Sequence, residues 1–311
     1  MNVSHETNHE TNEANFESKK VIGIRRLKEP MPTPLKTRVF TVANQKGGVG
    51  KTTTAVNVAA ALAMGGLRVL VIDLDPQANA CTALGIDREN IDGMFEVLVN
   101  EKPIAQVVQK AAGFPHLECA PSDVSLAGAE VNMVSFVSRE SRLKFALDKF
   151  LQERETQGQR IDYVIIDCPP SLGLLTVNAL TAAEEVLVPI QCEYYSLEGL
   201  TLLLQTLQQV KQMLNQKVHI STIVLTMYDS RTRLANDVAN SVRQHFPKEL
   251  IDVPVPRAVR VSEAPSFSQT VMTYDASSPG AIAYMQIARE IAQRGVSNSE
   301  VVSAWVLAKV D

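Results

Sequence analysis

Among the 311 residues no continuous apolar run reaches the roughly 18 positions of a membrane-spanning helix, and the amino terminus is polar where a secretory signal would be apolar. A soluble, cytoplasmic protein is expected. Cysteine is scarce: Cys81, Cys119, Cys168 and Cys192 lie far apart with no C-x-x-C pair. That spacing speaks against zinc, redox and disulfide frameworks and for unpaired thiols in packed positions, although it does not constrain iron–sulfur ligation across a dimer. An excess of positive charge is missing too. A formal net charge of −4 argues against a surface coated in basic residues and does not exclude a local basic patch.

Apolar residues are almost absent from residues 1–18, "MNVSHETNHETNEANFES", which carry an imperfect H-E-T-N repeat and only acidic charge. Such a stretch cannot bury enough surface to fold and is expected to be disordered, with His5 and His9 solvated. Residues 19–38, "KKVIGIRRLKEPMPTPLKTR", turn basic and hold three prolines. They read as a linker whose charge either touches nucleic acid or is a solvated spacer. From Val39 onward, short β-branched runs such as "RVFTVAN", "LRVLVIDLD", "DYVIIDCPP" and "EVLVPI" alternate with helical stretches. Continuously apolar strands alternating with helices imply an α/β fold, a mostly parallel twisted sheet with helices on both faces. The expected organisation is a tail and linker over 1–37 and one domain over 38–311.

One glycine is also missing. The stretch "VANQKGGVGKTTTAVNVAAAL" holds a phosphate loop, but the spacing G-x-x-x-x-G-K-[ST] anchored on Gly50-Lys51-Thr52 asks for glycine at position 45, and Gln45 stands there. In its place is K-G-G-x-G-K-T-T, with a second lysine, Lys46. A glycine-rich turn between a strand and a helix aims backbone N–H groups at one point, where the helix dipole also favours negative charge. Gly47, Gly48 and Gly50 let the chain wrap the phosphates, with Val49 and Thr53 completing the nucleotide-binding loop. Lys51 reaches the β- and γ-phosphates, and the Thr52 hydroxyl coordinates Mg²⁺. This is a P-loop NTPase type of site. Carboxylates are needed at neighbouring strand ends: Asp167 closes "DYVIID" and is placed to hold the Mg²⁺ shell. Asp73 and Asp75 close "VLVIDLD"; two residues apart on a strand they share a face, and periodicity does not choose between them.

Together "KGGVGKTT", "VIDLDPQ", "VIIDCPPS", "TMYDSRT" and "VPRAVRVSEAPS" resemble the ParA (Soj) chromosome-partition ATPases of the ParA/MinD deviant Walker A family, over roughly residues 38–293. The resemblance implies ATP and Mg²⁺ as ligands, and that Lys46 acts in trans, reaching the nucleotide of a partner chain so that ATP joins a sandwich homodimer. It implies that Asp75 positions the attacking water, with slow hydrolysis until a partner corrects the geometry. Met227 and Pro256 match adenine-side segments. Arg231 and Arg260 match arginines that contact double-stranded DNA non-specifically, with Arg233 and Arg257 nearby. The implied function is DNA segregation: an ATPase that binds nucleoid DNA as an ATP dimer and is released when a ParB-type partner stimulates hydrolysis. Two relatives of the same core serve as alternatives. A MinD-like division-site ATPase needs a basic amphipathic carboxyl-terminal helix, whereas "SEVVSAWVLAKVD" has one lysine flanked by acids, so stable membrane binding is not expected. An iron–sulfur carrier needs cysteines in matching motifs, and this sequence has none there.

Overall fold

The computed structural model describes residues 29–87, 91–193 and 196–307. The acidic tail with His5 and His9, the linker up to residue 28 and the side chains of the last segment, on which the membrane reading turned, lie outside the described residues. Among the described residues eight strands form one sheet: β1 (Arg38–Val42), β2 (Val69–Asp73), β3 (Gln109–Lys110), β4 (Leu117–Ala120), β5 (Tyr163–Asp167), β6 (Glu185–Gln191), β7 (His219–Thr226) and β8 (Leu250–Ile251). Their order is β3-β4-β2-β5-β1-β6-β7-β8, and every pairing is parallel except that of the short edge strand β3 with β4.

The period of two along the strands divides the core. Val69 and Val71 of β2, with Tyr163 and Ile165 of β5, face one layer, while Leu70, Ile72, Val164 and Ile166 face the other. The longer helices are α1 (Lys51–Met64), α2 (Arg142–Thr156), α3 (Leu174–Ala182), α4 (Ser196–Met213), α5 (Arg233–His245) and α6 (Pro279–Leu307). The first layer holds α1 and α6; the second holds α2 and α3 over β2 and β5, then α4 and α5 over β6 and β7. Helix α1 is buried nearly all round, which its alanine-rich sequence permits because small side chains allow close approach on every side.

Residues 29–37 depart from the linker expectation. Met31 is buried, its N–H donates to the Gly65 carbonyl at 2.9 Å, and Arg160 donates to the carbonyls of Pro34 and Leu35. A Cβ on Gly65 would come within 2.7 Å of the Met31 sulfur, so the glycine makes room for that packing. The prolines and positive charge that read as a spacer belong in this stretch to a strap across the end of α1.

Candidate nucleotide site

Parallel pairing brings the carboxyl ends of β1, β2 and β5 level: Val42 is registered with Asp167, and Asp167 with Asp73. Just beyond β1, Asn44 anchors the glycine loop, donating to the Pro189 carbonyl on β6 at 2.8 Å and accepting from the Lys46 N–H at 3.0 Å. Val49 is buried, and its carbonyl accepts from the Thr226 hydroxyl at the end of β7 at 2.8 Å. Gly48 and Gly50 take φ of +73° and +85°, in the left-handed region that favours glycine, whereas Gly47 does not need it. Helix α1 then begins with no side-chain cap and no acidic residue in its first turn. Its leading N–H groups are therefore left for an anion in the loop.

Lys51 is 7% exposed and curls back to donate to the Lys46 carbonyl at 3.2 Å. Burial lowers its pKa, and the nearby carboxylates of Asp167 and Asp75 oppose that shift. Thr52 and Thr53 follow it, half-buried. Asp167 is fully buried, and neither carboxylate oxygen receives a well-formed hydrogen bond. Desolvation raises its pKa well above the usual range, the charge of Asp73 adds to that, and the Thr52 hydroxyl and Lys51 ammonium pull the other way. A buried carboxylate without donors is costly, and a divalent cation with its water shell supplies what is missing. The donor set of Asp167 and Thr52 thus fits Mg²⁺, which prefers one or two protein oxygens and keeps its waters.

The two aspartates of "DLD" differ in what they hold. Asp73 is buried with its oxygens engaged: Oδ1 accepts from the Asp75 N–H, and Oδ2 accepts from both the N–H and the thiol of Cys81, all at 3.1 Å. Asp75 stands one step further out, accepting the Gln77 N–H at 3.0 Å. Asp73 is thus a brace for the turn, and Asp75 is the carboxylate left for other work. Cys81, Cys119, Cys168 and Cys192 are all buried free thiols, and among the described residues no group of three or more metal-ligating side chains forms.

Lys46 sits at the rim. Its ammonium pairs with Glu193 at 3.2 Å, and Gly199 on α4 approaches so closely that a Cβ there would lie 2.9 Å from the Asn44 Oδ1 that accepts the Lys46 N–H. Met227, with φ of +50°, and Pro256 come together where a β-bridge joins Tyr228 to Pro256. The arginines stand apart from the loop. Arg231 is exposed and doubly bonded to Asp229, Arg233 pairs loosely with Asp237, and Arg260 lies between Glu263, Asp275 and Tyr274. Asn44 and Glu193 carry no motif of their own, and Thr226, although it opens "TMYDSRT", gave no sign of reaching the glycine loop; Asn44, immediately before that loop, is the one whose position offered a signal.

A family profile described as an AAA domain matches residues 37–220. The chromosome partitioning protein ParA of Myxococcus xanthus is 47% identical over 263 residues, 84% of this chain and 90% of the relative. The sporulation initiation inhibitor protein Soj of Bacillus subtilis is 45% identical over 259 residues, 83% of this chain and 99% of the relative. Among solved structures, cobyrinic acid a,c-diamide synthase from Mycobacterium smegmatis with bound ADP and magnesium superposes with a TM-score of 0.68 at 38% identity, covering 81% of this chain and 92% of that one.

Proposed function

This chain belongs to the ParA/Soj family of chromosome-partitioning ATPases, and from that membership we propose a partition cycle in which ATP joins two copies, the dimer holds DNA, and a ParB-type partner ends the hold by stimulating hydrolysis. The chain is an ATPase whose ligands are ATP and Mg²⁺. The observation that carries this is the buried carboxylate of Asp167, which receives no well-formed hydrogen bond, beside Lys51 and Thr52 at the mouth of a glycine loop.

The N–H groups of Gly47 to Thr53 and the Lys51 ammonium cradle the phosphates, and Thr52 and Asp167 hold the metal. When bound, Mg²⁺ neutralises charge on the β- and γ-phosphate oxygens. Asp75 orients a water whose oxygen attacks the γ-phosphorus as the bond to the ADP oxygen breaks. Lys46 exchanges Glu193 for the phosphates of the partner copy and stabilises transferring charge there, as an arginine finger does. Met227 and Pro256 frame the adenine. Arg231 and Arg260 meet DNA phosphates, which carry no sequence information. The protein acts in the cytoplasm on the nucleoid, without stable membrane binding; among the described residues no helix is long and apolar enough to cross a membrane.

DNA binding measured with ATP, with ADP and without nucleotide, each with and without anionic liposomes, tests the reading. Binding that requires ATP and ignores liposomes is expected. DNA binding indifferent to nucleotide, or recruitment to liposomes in its place, overturns it.

A further inference from the structure

The carboxylate of Asp75 turns back onto its own segment, accepting the Gln77 N–H, so its position follows the path of the backbone from Asp75 to Ala78. That path is clamped from both sides. The Asp75 N–H donates to Asp73, and the Asp75 carbonyl accepts from the Ala78 N–H at 2.9 Å and from the Ser122 hydroxyl at 2.5 Å. Ser122 is 1% exposed and lies just past β4, 47 residues along the chain. Its own N–H donates to the Cys81 sulfur at 3.4 Å, and Cys81 in turn donates to Asp73. The bonds close a ring: Asp75, Asp73, Cys81, Ser122 and back to Asp75. Inside it, Ala78 is held at φ of +53°, a conformation that a side chain rarely adopts without such restraint.

We infer that Ser122 is a positioning residue for hydrolysis: its hydroxyl fixes the Asp75 peptide and so aims the carboxylate at the attacking water. This rests on Asp75 being the carboxylate that orients the water. Ser122 lies outside the phosphate loop, so loss of its hydroxyl is expected to loosen Asp75 without loosening ATP. Reacting groups displaced by about an ångström lose up to two orders of magnitude in rate, so a loosened but present carboxylate costs less.

The test is steady-state and single-turnover hydrolysis by the full chain. Ser122→Ala is expected to lower kcat about tenfold with the KM for ATP within about twofold, and Ser122→Thr, which keeps the donor, to recover most of that loss. In an Asp75→Ala background, Ser122→Ala is expected to change the residual rate by less than about twofold, because no carboxylate is left to aim. Should the alanine variant not fold, Ser122→Cys fills the same space with a weaker donor and carries the same comparison. Unchanged kcat in a folded Ser122→Ala or Ser122→Cys, or an equal fold-loss with and without Asp75, overturns the inference. Wild-type hydrolysis by Asp75→Ala overturns instead the assignment on which it rests.

Discussion

At the carboxyl end of the sheet and on the arginine surface, the same kinds of charge are held in opposite ways. Asp167 and Lys51 are taken out of water, and the carboxylate is left without donors. Arg231 and Arg260 keep most of their side chains in water, and each already rests against acids of its own chain. Two unit charges about 4 Å apart interact with about 4 kcal/mol at an effective dielectric near 20 and about 1 kcal/mol in bulk water. The first region is therefore committed: its groups gain a large interaction when phosphate and metal arrive, and there is little else for them to do. On the proposed reading the second is exchangeable, because a phosphate oxygen would replace a carboxylate oxygen at small net cost. A cycle that binds nucleotide firmly and DNA reversibly needs one of each.

The widest gap between the regions is expected from the phosphate loop. Lys51→Ala or Thr52→Ala should weaken Mg·ATP binding by about two orders of magnitude or more, since each removes a charge-assisted or metal contact in a desolvated site. Equilibrium nucleotide titration measures it, and retained affinity would remove the loop from the site. Next in size is the contrast between the two aspartates. Asp75→Ala should bind ATP normally, melt close to wild type and hydrolyse about 100-fold more slowly, leaving a trapped DNA-bound dimer. Asp73→Ala should instead lose about 2–4 kcal/mol of stability, because the Cys81 N–H and thiol and the Asp75 N–H lose their acceptor. Thermal melts beside turnover separate the two, and a reversed pattern shows that the wrong carboxylate carries the water.

These contrasts also mark what the sequence could reveal. The loop was legible because Gly48 and Gly50 adopt left-handed backbone that side chains resist, and because Asp167 ends an apolar strand where a carboxylate has no packing reason to be. Periodicity left Asp73 and Asp75 equivalent; they part through Cys81, which reaches Asp73 from the short helix Asn79–Ala83, and that contact is not periodic. Ser122 and Glu193 act across 47 and 147 residues, and a serine or glutamate in no motif signals nothing at such range. Residues 29–37 misled because proline and lysine report solvent exposure on average, whereas here Met31 and Pro34 are buried and Arg160 and Thr37 tie the strap down by hydrogen bonds. The segment following Ser122 folds as short 3₁₀ and α turns, with Val124, Val131, Val134 and Val137 exposed.

Lys46 belongs to neither region, since it is half-withdrawn from water yet paired with an exposed Glu193. Lys46→Ala should bind nucleotide as a monomer within about threefold of wild type, because its intrachain partner is a surface carboxylate and not the phosphate loop. The ATP-dependent dimer and stimulated hydrolysis should be lost. Light scattering with and without ATP decides it: a normal ATP dimer ends the role in trans.

The smallest expected effects lie on the arginine surface, and they test whether it is exchangeable. A two-fold dimer presents Arg231 and Arg260 twice, so if these four are the main phosphate contacts the logarithm of DNA affinity should fall against the logarithm of salt with a slope of roughly −3 to −4, at about 0.9 per contact. Arg260→Ala removes two contacts and should reduce that slope by about 1.8, leaving ATP binding intact. Asp229 supplies the finer test. Its hydrogen bonds from Arg231 hold its pKa down at about 2, so at neutral pH it is ionised and, if Arg231 meets DNA as proposed, would compete for that guanidinium. Asp229→Asn removes the competitor's charge and one source of repulsion for the incoming phosphate. Affinity at low salt should rise about three- to tenfold, with the gain fading toward high salt as the lost repulsion is screened. The titration is run with ATP on two unrelated duplexes by fluorescence anisotropy. If Arg231→Ala weakens binding while Asp229→Asn changes nothing, the arginine meets DNA without leaving its carboxylate, and the surface is preorganised in the same sense as the nucleotide site.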